Sequence, residues 1–307
     1  MRERGWTEAD VPSQEGRVFV VTGANAGLGL ATCRALAARG ARVVMACRRP
    51  EAGQEAVARI RAQIPGAAVE VEPLDLADLS SVSAFATRAA DRLPTLDCLV
   101  NNAGIMGVPR ALTVDGFERQ FAVNHLGHFA LTGRLLPLLL SAPRGRVVTV
   151  TSATYLMGRM DFADLQGERR YRRWRAYAQS KLANLLFAVE LNRRARAAAA
   201  PLVSLAAHPG YAGTGLQLSP ERRLGVPLRR FWAWANAHVA QDAAGGALPT
   251  LRAATDPAAE GATLYGPLGP LRGPAVPAKL SARALDPEAA SRLWEASETL
   301  TGVHFPF

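Results

Sequence analysis

The chain carries 36 basic residues, and only two of them, Lys181 and Lys279, are lysines. Lys181 closes the stretch "YAQSK" (177–181), which sets an ammonium four residues after a phenol. On a helix, residues at that spacing share a face. A free phenol, with a pKa near ~10, is a poor base at neutral pH, and a neighbouring ammonium stabilises the phenolate and draws that pKa down. A compact, rotatable ammonium can approach a phenol oxygen and sugar hydroxyls together, which the planar guanidinium fork does not imitate well. An arginine-rich chain that keeps lysine at this one point therefore suggests acid–base chemistry at Tyr177.

A second group of residues suggests a phosphate site. "TGANAGLG" (22–29) holds Gly23, Gly27 and Gly29, with Asn25 and Leu28 between them, in a G-x-x-x-G-x-G spacing that differs from G-x-G-x-x-G. Where the Cβ is missing a pyrophosphate can approach the backbone, and a helix starting there offers unpaired N–H groups. Further on, an acid at the end of the second strand would bind an adenine ribose 2′-hydroxyl and repel a 2′-phosphate. Cys47, Arg48 and Arg49 occupy that place instead, and a guanidinium can hold a phosphate through paired N–H bonds. This favours NADP(H) over NAD(H), against the plainer reading of two surface arginines.

The elements that must position these residues alternate along the chain. Apolar runs at 17–23, 41–47, 67–76, 97–104, 145–152 and 202–210 read as strands, and 28–40, 50–64, 79–92, 116–140 and 175–198 as helices. This rhythm predicts an α/β fold of Rossmann type, a doubly wound parallel sheet in a single domain (1–307) with helices on both faces. After residue 210 the order weakens. The segment 215–237, with Phe231, Trp232 and Trp234, reads as a lid over the substrate, followed by a helix near 239–255 and a short strand at "ATLYG". Residues 266–307 read as an irregular, Gly- and Pro-rich extension with a late helix at "DPEAASRLWEASETL".

Composition excludes several classes. No run approaches the ~18 apolar residues of a membrane span, and the charged start lacks the apolar stretch of a signal peptide, so a cytoplasmic protein is expected. Cys33, Cys47 and Cys98 suggest neither disulfides nor a metal site, and none is expected. The net charge of +10 is spread along the chain, and "ERRYRRWR" (168–175) sits in no nucleic-acid fold signature. A solvated arginine-biased surface is the simpler reading, with no nucleic-acid partner. His125, His128 and His208 lack metal-like companions and read as structural.

Taken together, "TGANAGLG", "NNAG" (101–104), Asn124 in "FAVNHLGHF", Ser152 in "VTVTSAT", "YAQSK" and "HPG" (208–210) resemble the short-chain dehydrogenase/reductase family in its single-domain form. The resemblance covers roughly residues 15–265, and "VVMACRR" and "YAQSKLANLLF" are similar to its retinol dehydrogenase-like branch. Ala26 departs from that branch, which often has Ser there. The resemblance implies that Tyr177 exchanges a proton with the substrate oxygen, that Ser152 hydrogen-bonds that oxygen, and that Lys181 meets the nicotinamide ribose. Asn124 would hold a water beside Lys181. Asn102, Ala103 and Gly104 would line the adenine side, with Asp75 accepting from the adenine amino group, or else capping a helix, and Leu76 offering its backbone. Pro209, Gly210 and Thr214 would surround the carboxamide and phosphates. The 25 residues from Ser152 to Tyr177 accommodate the branch's insert "DFADLQGERRYRRW".

The function so implied is an NADP(H)-dependent oxidoreductase acting on a small carbonyl or alcohol substrate, apolar or aromatic to suit the Phe, Trp and Leu of 215–237. A non-catalytic NADP(H)-binding redox sensor or scaffold is the competing reading, and it has no need of the Tyr177–Lys181 pair. A homodimer or homotetramer is expected, because the helices at 116–140 and 175–198 are apolar over more than one stripe and family members often pair through them.

Overall fold

The first strand, β1 (Val18–Thr22), is buried along its whole length, as a strand covered on both faces must be. Its side chains alternate: Phe19 and Val21 face one core, Val18 and Val20 the other. In the computed structural model, which describes residues 5–210, 242–269 and 272–307, this strand lies near the middle of an eight-stranded sheet. The strands β2 (Arg42–Cys47), β3 (Val69–Pro73), β4 (Cys98–Asn101), β5 (Gly145–Val150), β6 (Leu202–Ala207), β7 (Leu264–Pro267) and β8 (Ala275–Ala278) complete it in the order β3-β2-β1-β4-β5-β6-β7-β8. All pairings are parallel except β7 with β8. The order reverses between β1 and β4, which is where open α/β sheets bind ligands at their carboxyl ends.

Helices cover both faces as expected. On one side α1 (Gly27–Ala37) and α2 (Pro50–Gln63) present Cys33, Leu36, Val57 and Ile60 to the Phe19 core. On the other, α3 (Leu79–Arg92) brings Val82 and Phe85 to the Val20 core. The helix expected at 116–140 runs unbroken from Arg119 to Leu140, but its winding is not uniform. It begins as α4 (Arg119–Phe121), widens into a π-helical turn (Ala122–Leu126), and resumes as α5 (Gly127–Leu140). The long helix α6 (Arg173–Ala197) follows the insert, and α7 (Ala243–Thr255) falls within the expected 239–255.

The extension after residue 266 differs most from its expectation. Gly and Pro there do not prevent a strand: β8 is the edge of the sheet, where Pro277 has no neighbour to which it must donate. Ala275 also exchanges backbone bonds with Trp6. The late helix, α8 (Pro287–Thr301), is capped by Asp286, whose carboxylate accepts from the Glu288 and Ala289 N–H groups, and it stops at Gly302 in the left-handed conformation. Trp294 and Phe305 from this region enter the core against Phe129 of α5 and Phe187 of α6. The extension thus completes the second core. The lid expected at 215–237 and Thr214 lie outside the described residues.

Candidate active site

The glycine loop turns from β1 into α1 with two close approaches that demand glycine. Gly23 has φ +64°, and a Cβ there would stand 3.0 Å from Ala103 Cα. A Cβ on Gly29 would overlap the Gly23 carbonyl and lie 2.7 Å from Asn102 Nδ2. Ala26 precedes the helix with no side-chain cap, so the N–H groups of its first turn, from Gly27 through Gly29, are not taken up by a capping side chain. The loop is pinned from β4: Asn102 Nδ2 donates to the Thr22 carbonyl (2.7 Å), while the backbone N–H groups of Asn102 and Ala103 both donate to Thr22 Oγ1 (2.9 Å each). That cradle, shaped by absent Cβ atoms and open at a helix N-terminus, fits a dinucleotide pyrophosphate. Gly27, with φ +54°, Asn25 and Leu28 belong to the same turn.

Beside the loop, the buried Cys47 ends β2, with the Ala24 and Asn25 N–H groups directed at its sulfur; burial is the larger effect and pushes the thiol up to about 11. Arg48 and Arg49 follow it at the surface. Arg59 of α2 reaches the Asn25 carbonyl at 3.4 Å, a third cation at this edge that nothing in the sequence singled out. Asp75 does not cap α3. That role belongs to Asp78, which accepts from the Ser80 and Ser81 N–H groups, while Asp75 Oδ1 accepts from the Ala77 N–H in the turn after β3. Next to it, the Leu76 carbonyl packs so closely on Gly127 that only glycine fits there.

The π-helical turn carries Asn124. Its side chain pairs with a backbone as a strand would: Oδ1 accepts from the Ile105 N–H (2.8 Å) and Nδ2 donates to the Ile105 carbonyl (3.0 Å) and Ser180 Oγ (2.9 Å). Just before Ile105, Gly104 leaves a gap in which a Cβ would stand 3.2 Å from Asn124 Oδ1 and 3.3 Å from Lys181 Nζ. Asn124 and Lys181 therefore converge under one glycine. Lys181 donates to the Val150 carbonyl at 3.2 Å and is buried, which lowers its pKa to about 8.

Tyr177 stands on the same face of α6, with the Lys181 ammonium 5.8 Å from its ring centre. Its phenol is not drawn down as the spacing suggested. Burial raises it above the ordinary range, partly offset by the hydroxyls of Ser152 and Thr154. Ser152 caps the short turn after β5 by accepting from the Thr154 N–H at 3.3 Å. Thr154 Oγ1 is buried beside the phenol and finds no hydrogen-bond partner other than it. Such a hydroxyl suits a ligand oxygen. Thr154 was invisible in the sequence, where it is one hydroxyl among several in "TSAT".

His125, His128 and His208 each bond to neighbouring residues within the fold. His128 Nδ1 meets the Asn124 carbonyl (3.1 Å), which requires a proton on Nδ1, so Nε2 faces Thr22 Oγ1 (2.9 Å) as an acceptor. Burial first, then His128, drops His125 to about 3; burial leads the drop of His128 to about 4. His208 holds the Gly210 N–H at 3.3 Å, which shapes the end of β6 around Pro209; Gly210 has φ +65°. Among the described residues no group of His, Cys, Asp or Glu could hold a metal ion, and none of the helices is long and apolar enough to cross a membrane.

This glycine cradle at the switch point of a parallel sheet, with Ser, Tyr and Lys at the strand ends, defines a nicotinamide-dependent oxidoreductase. The chain belongs to the short-chain dehydrogenase family, whose profile matches residues 17–221, and it is an oxidoreductase of the alcohol/carbonyl class on an NAD(P)-binding fold. It is 44% identical over 300 residues to mouse polyprenol dehydrogenase, covering 95% of this chain and 86% of that one. It is 47% identical over 204 residues to mouse retinol dehydrogenase 12, covering 66% of this chain and 63% of that one. A crystal structure of an uncharacterised protein from Mycobacterium paratuberculosis, 46% identical, superposes with a TM-score of 0.81 over 99% of this chain and 100% of the other.

Proposed function

We propose that the protein uses NADP(H) to interconvert an apolar or aromatic aldehyde or ketone with its alcohol. The observation that carries this reading is the convergence of Asn124 and Lys181 under Gly104, beside a buried phenol that faces two hydroxyls. With its pyrophosphate in the cradle, a bound dinucleotide would supply or accept the hydride at its nicotinamide. The chain's own groups do the rest. Ser152 and Thr154 hold the substrate oxygen, and Tyr177 gives that oxygen a proton in reduction or takes one in oxidation. The Lys181 ammonium steadies the phenolate when it forms, and Asn124 holds the Ile105 backbone and a water beside Lys181. Gly23, Gly27 and Gly29 with Asn25 and Leu28 hold the pyrophosphate. Asp75, Leu76, Asn102, Ala103 and Gly104 flank the adenine and its ribose, and Pro209, Gly210 and Thr214 the carboxamide side.

Preference for the 2′-phosphate rests on Arg48, exposed after a neutral Cys47, with Arg59 nearby. Relatives named as retinol and polyprenol dehydrogenases support an apolar alcohol as the reduced substrate. A cytoplasmic homodimer or homotetramer completes the reading. Fluorescence titration with NADPH and NADH tests the cofactor, and tighter NADPH binding that weakens in Arg48→Ala is expected; equal affinities overturn it. Tyr177→Phe should still bind NADPH and lose about 10²–10⁴-fold in turnover of an aldehyde panel. Turnover near that of the wild type would remove Tyr177 from its role.

A further inference from the structure

Large apolar side chains exposed to solvent are few among the described residues, and three of them flank the proposed chemistry: Leu156, Met157 and Trp174, with relative exposures of 58%, 73% and 48%. Leu156 and Met157 close the turn that Ser152 begins. Trp174 lies one helical turn before Tyr177, and its indole meets the Tyr177 ring edge-on, 6.3 Å between centres. Its other side rests on Gly107, where φ is +63° and a Cβ would press the indole at 3.1 Å.

A buried bracket fixes this arrangement. Gln120, fully buried, accepts the Gly107 N–H (2.7 Å) and donates to both Tyr171 Oη (2.6 Å) and the Arg173 carbonyl, the residue before Trp174 (3.0 Å). Tyr171 Oη in turn shares its proton between the Val108 carbonyl and Glu118 Oε1, both at 3.0 Å. The buried Glu118 carboxylate also accepts the Gln120 and Phe121 N–H groups that open α4. The loop after β4, the start of the Asn124 helix and the first turn of α6 are thus locked together under one half-exposed indole. Holding an aromatic side chain so firmly while leaving about half of it to solvent is the arrangement of a binding wall.

We propose that Trp174 is a specificity-determining wall of the substrate cleft, favouring planar aromatic carbonyls, and that Gln120 and Tyr171 are positioning residues that set its place. The inference rests on the oxidoreductase reading for its turnover test and is independent of it for binding. A planar substrate whose carbonyl reaches Ser152 and Tyr177 would lay its ring against the indole, and a short aliphatic one would not touch it.

The test compares 2-naphthaldehyde with propanal, both with NADPH, by the ratio of their kcat/KM values. Trp174→Ala should lower that ratio about tenfold, the size of discrimination an apolar pocket supplies, and Trp174→Phe should restore most of it. Tyr171→Phe should lower the same ratio through KM for 2-naphthaldehyde, a selective loss that general destabilisation does not produce. In parallel, calorimetry on the NADPH complex measures binding of 2-naphthamide, an unreactive aromatic probe, which should weaken about tenfold in Trp174→Ala. A ratio within twofold of the wild type, or naphthamide binding that is absent or unaffected by the substitution, overturns the wall. If neither aldehyde is reduced by the wild type while naphthamide still depends on Trp174, the proposed NADPH-dependent reduction of such carbonyls falls and the wall stands.

Discussion

Tyr177 and Lys181 each bear a cost of burial that the spacing alone does not reveal. The sequence placed both on one face and suggested that the ammonium would lower the phenol. In the folded chain, burial raises the phenol and lowers the lysine. Their pairing was legible because lysine is so rare here; Thr154 and Thr22 were not, because a hydroxyl in a loop has no periodicity or unusual type to mark it. The lysine's burial has a measurable consequence. Moving its pKa from 10.5 to about 8 penalises the charged form by on the order of 3 kcal/mol. The unfolded chain holds that proton more tightly, so the penalty is fully present below pH 8 and is relieved as pH rises from about 8 to 10.5. Lys181→Met should therefore be more stable than the wild type at pH 7, with the difference shrinking towards pH 10.5. Urea unfolding of both proteins across that range checks it, and a difference that does not change with pH would show that Lys181 is not held in a desolvated site.

At the level of elements, the segment 116–140 shows why a strong periodic pattern can still mislead. Its apolar spacing reads as one helix, yet Asn124 binds both backbone groups of Ile105 from across the cleft, and the helix widens by one π turn to bring it there. That bond partner is 19 residues away in sequence and leaves no local trace. The same turn buries His125 against Ser297, and the start of α5 buries His128 against Thr22. Both stay neutral in the fold down to about 3 and about 4, while in the unfolded chain they take protons as pH falls through 6.5. The unfolded state thus binds more protons between 6.5 and 4, and stability is lost as pH falls through that window, by up to about 1.4 kcal/mol per pH unit for each histidine. Urea unfolding between pH 7 and 4.5 should show this slope, and His125→Phe should remove one proton from it. An unchanged slope would mean that His125 is protonated within the fold or exposed in it.

The sheet of the whole molecule was legible because the parallel strands β1, β2, β4, β5 and β6 are largely apolar runs buried along most of their length, whereas β3 (VEVEP) alternates and is only partly buried. The C-terminal extension was not, since Pro277 and the glycines around it obey edge rules that only the assembled sheet makes visible. That extension also changes the reasoning about assembly. The second apolar stripe of α5 and α6 suggested a partner subunit, but α8 and the tail supply the cover: Trp294 and Phe305 pack on Phe129 and Phe187. From Tyr177 to Asn192 every residue of α6 except Val189 is buried within the one chain. A homodimer or homotetramer must then pair through other surfaces, or else first displace a helix held in a cluster of four aromatic rings with a capped N-terminus. Hydrogen exchange at high and low protein concentration distinguishes these routes, with sedimentation reporting the assembly at each. Amides of α6 should be equally protected in oligomer and monomer, because their cover travels with the chain, while protection that changes with concentration should appear elsewhere. Loss of α6 protection on dilution would show that a second copy covers this helix, and a monomer at every concentration would remove the oligomer altogether.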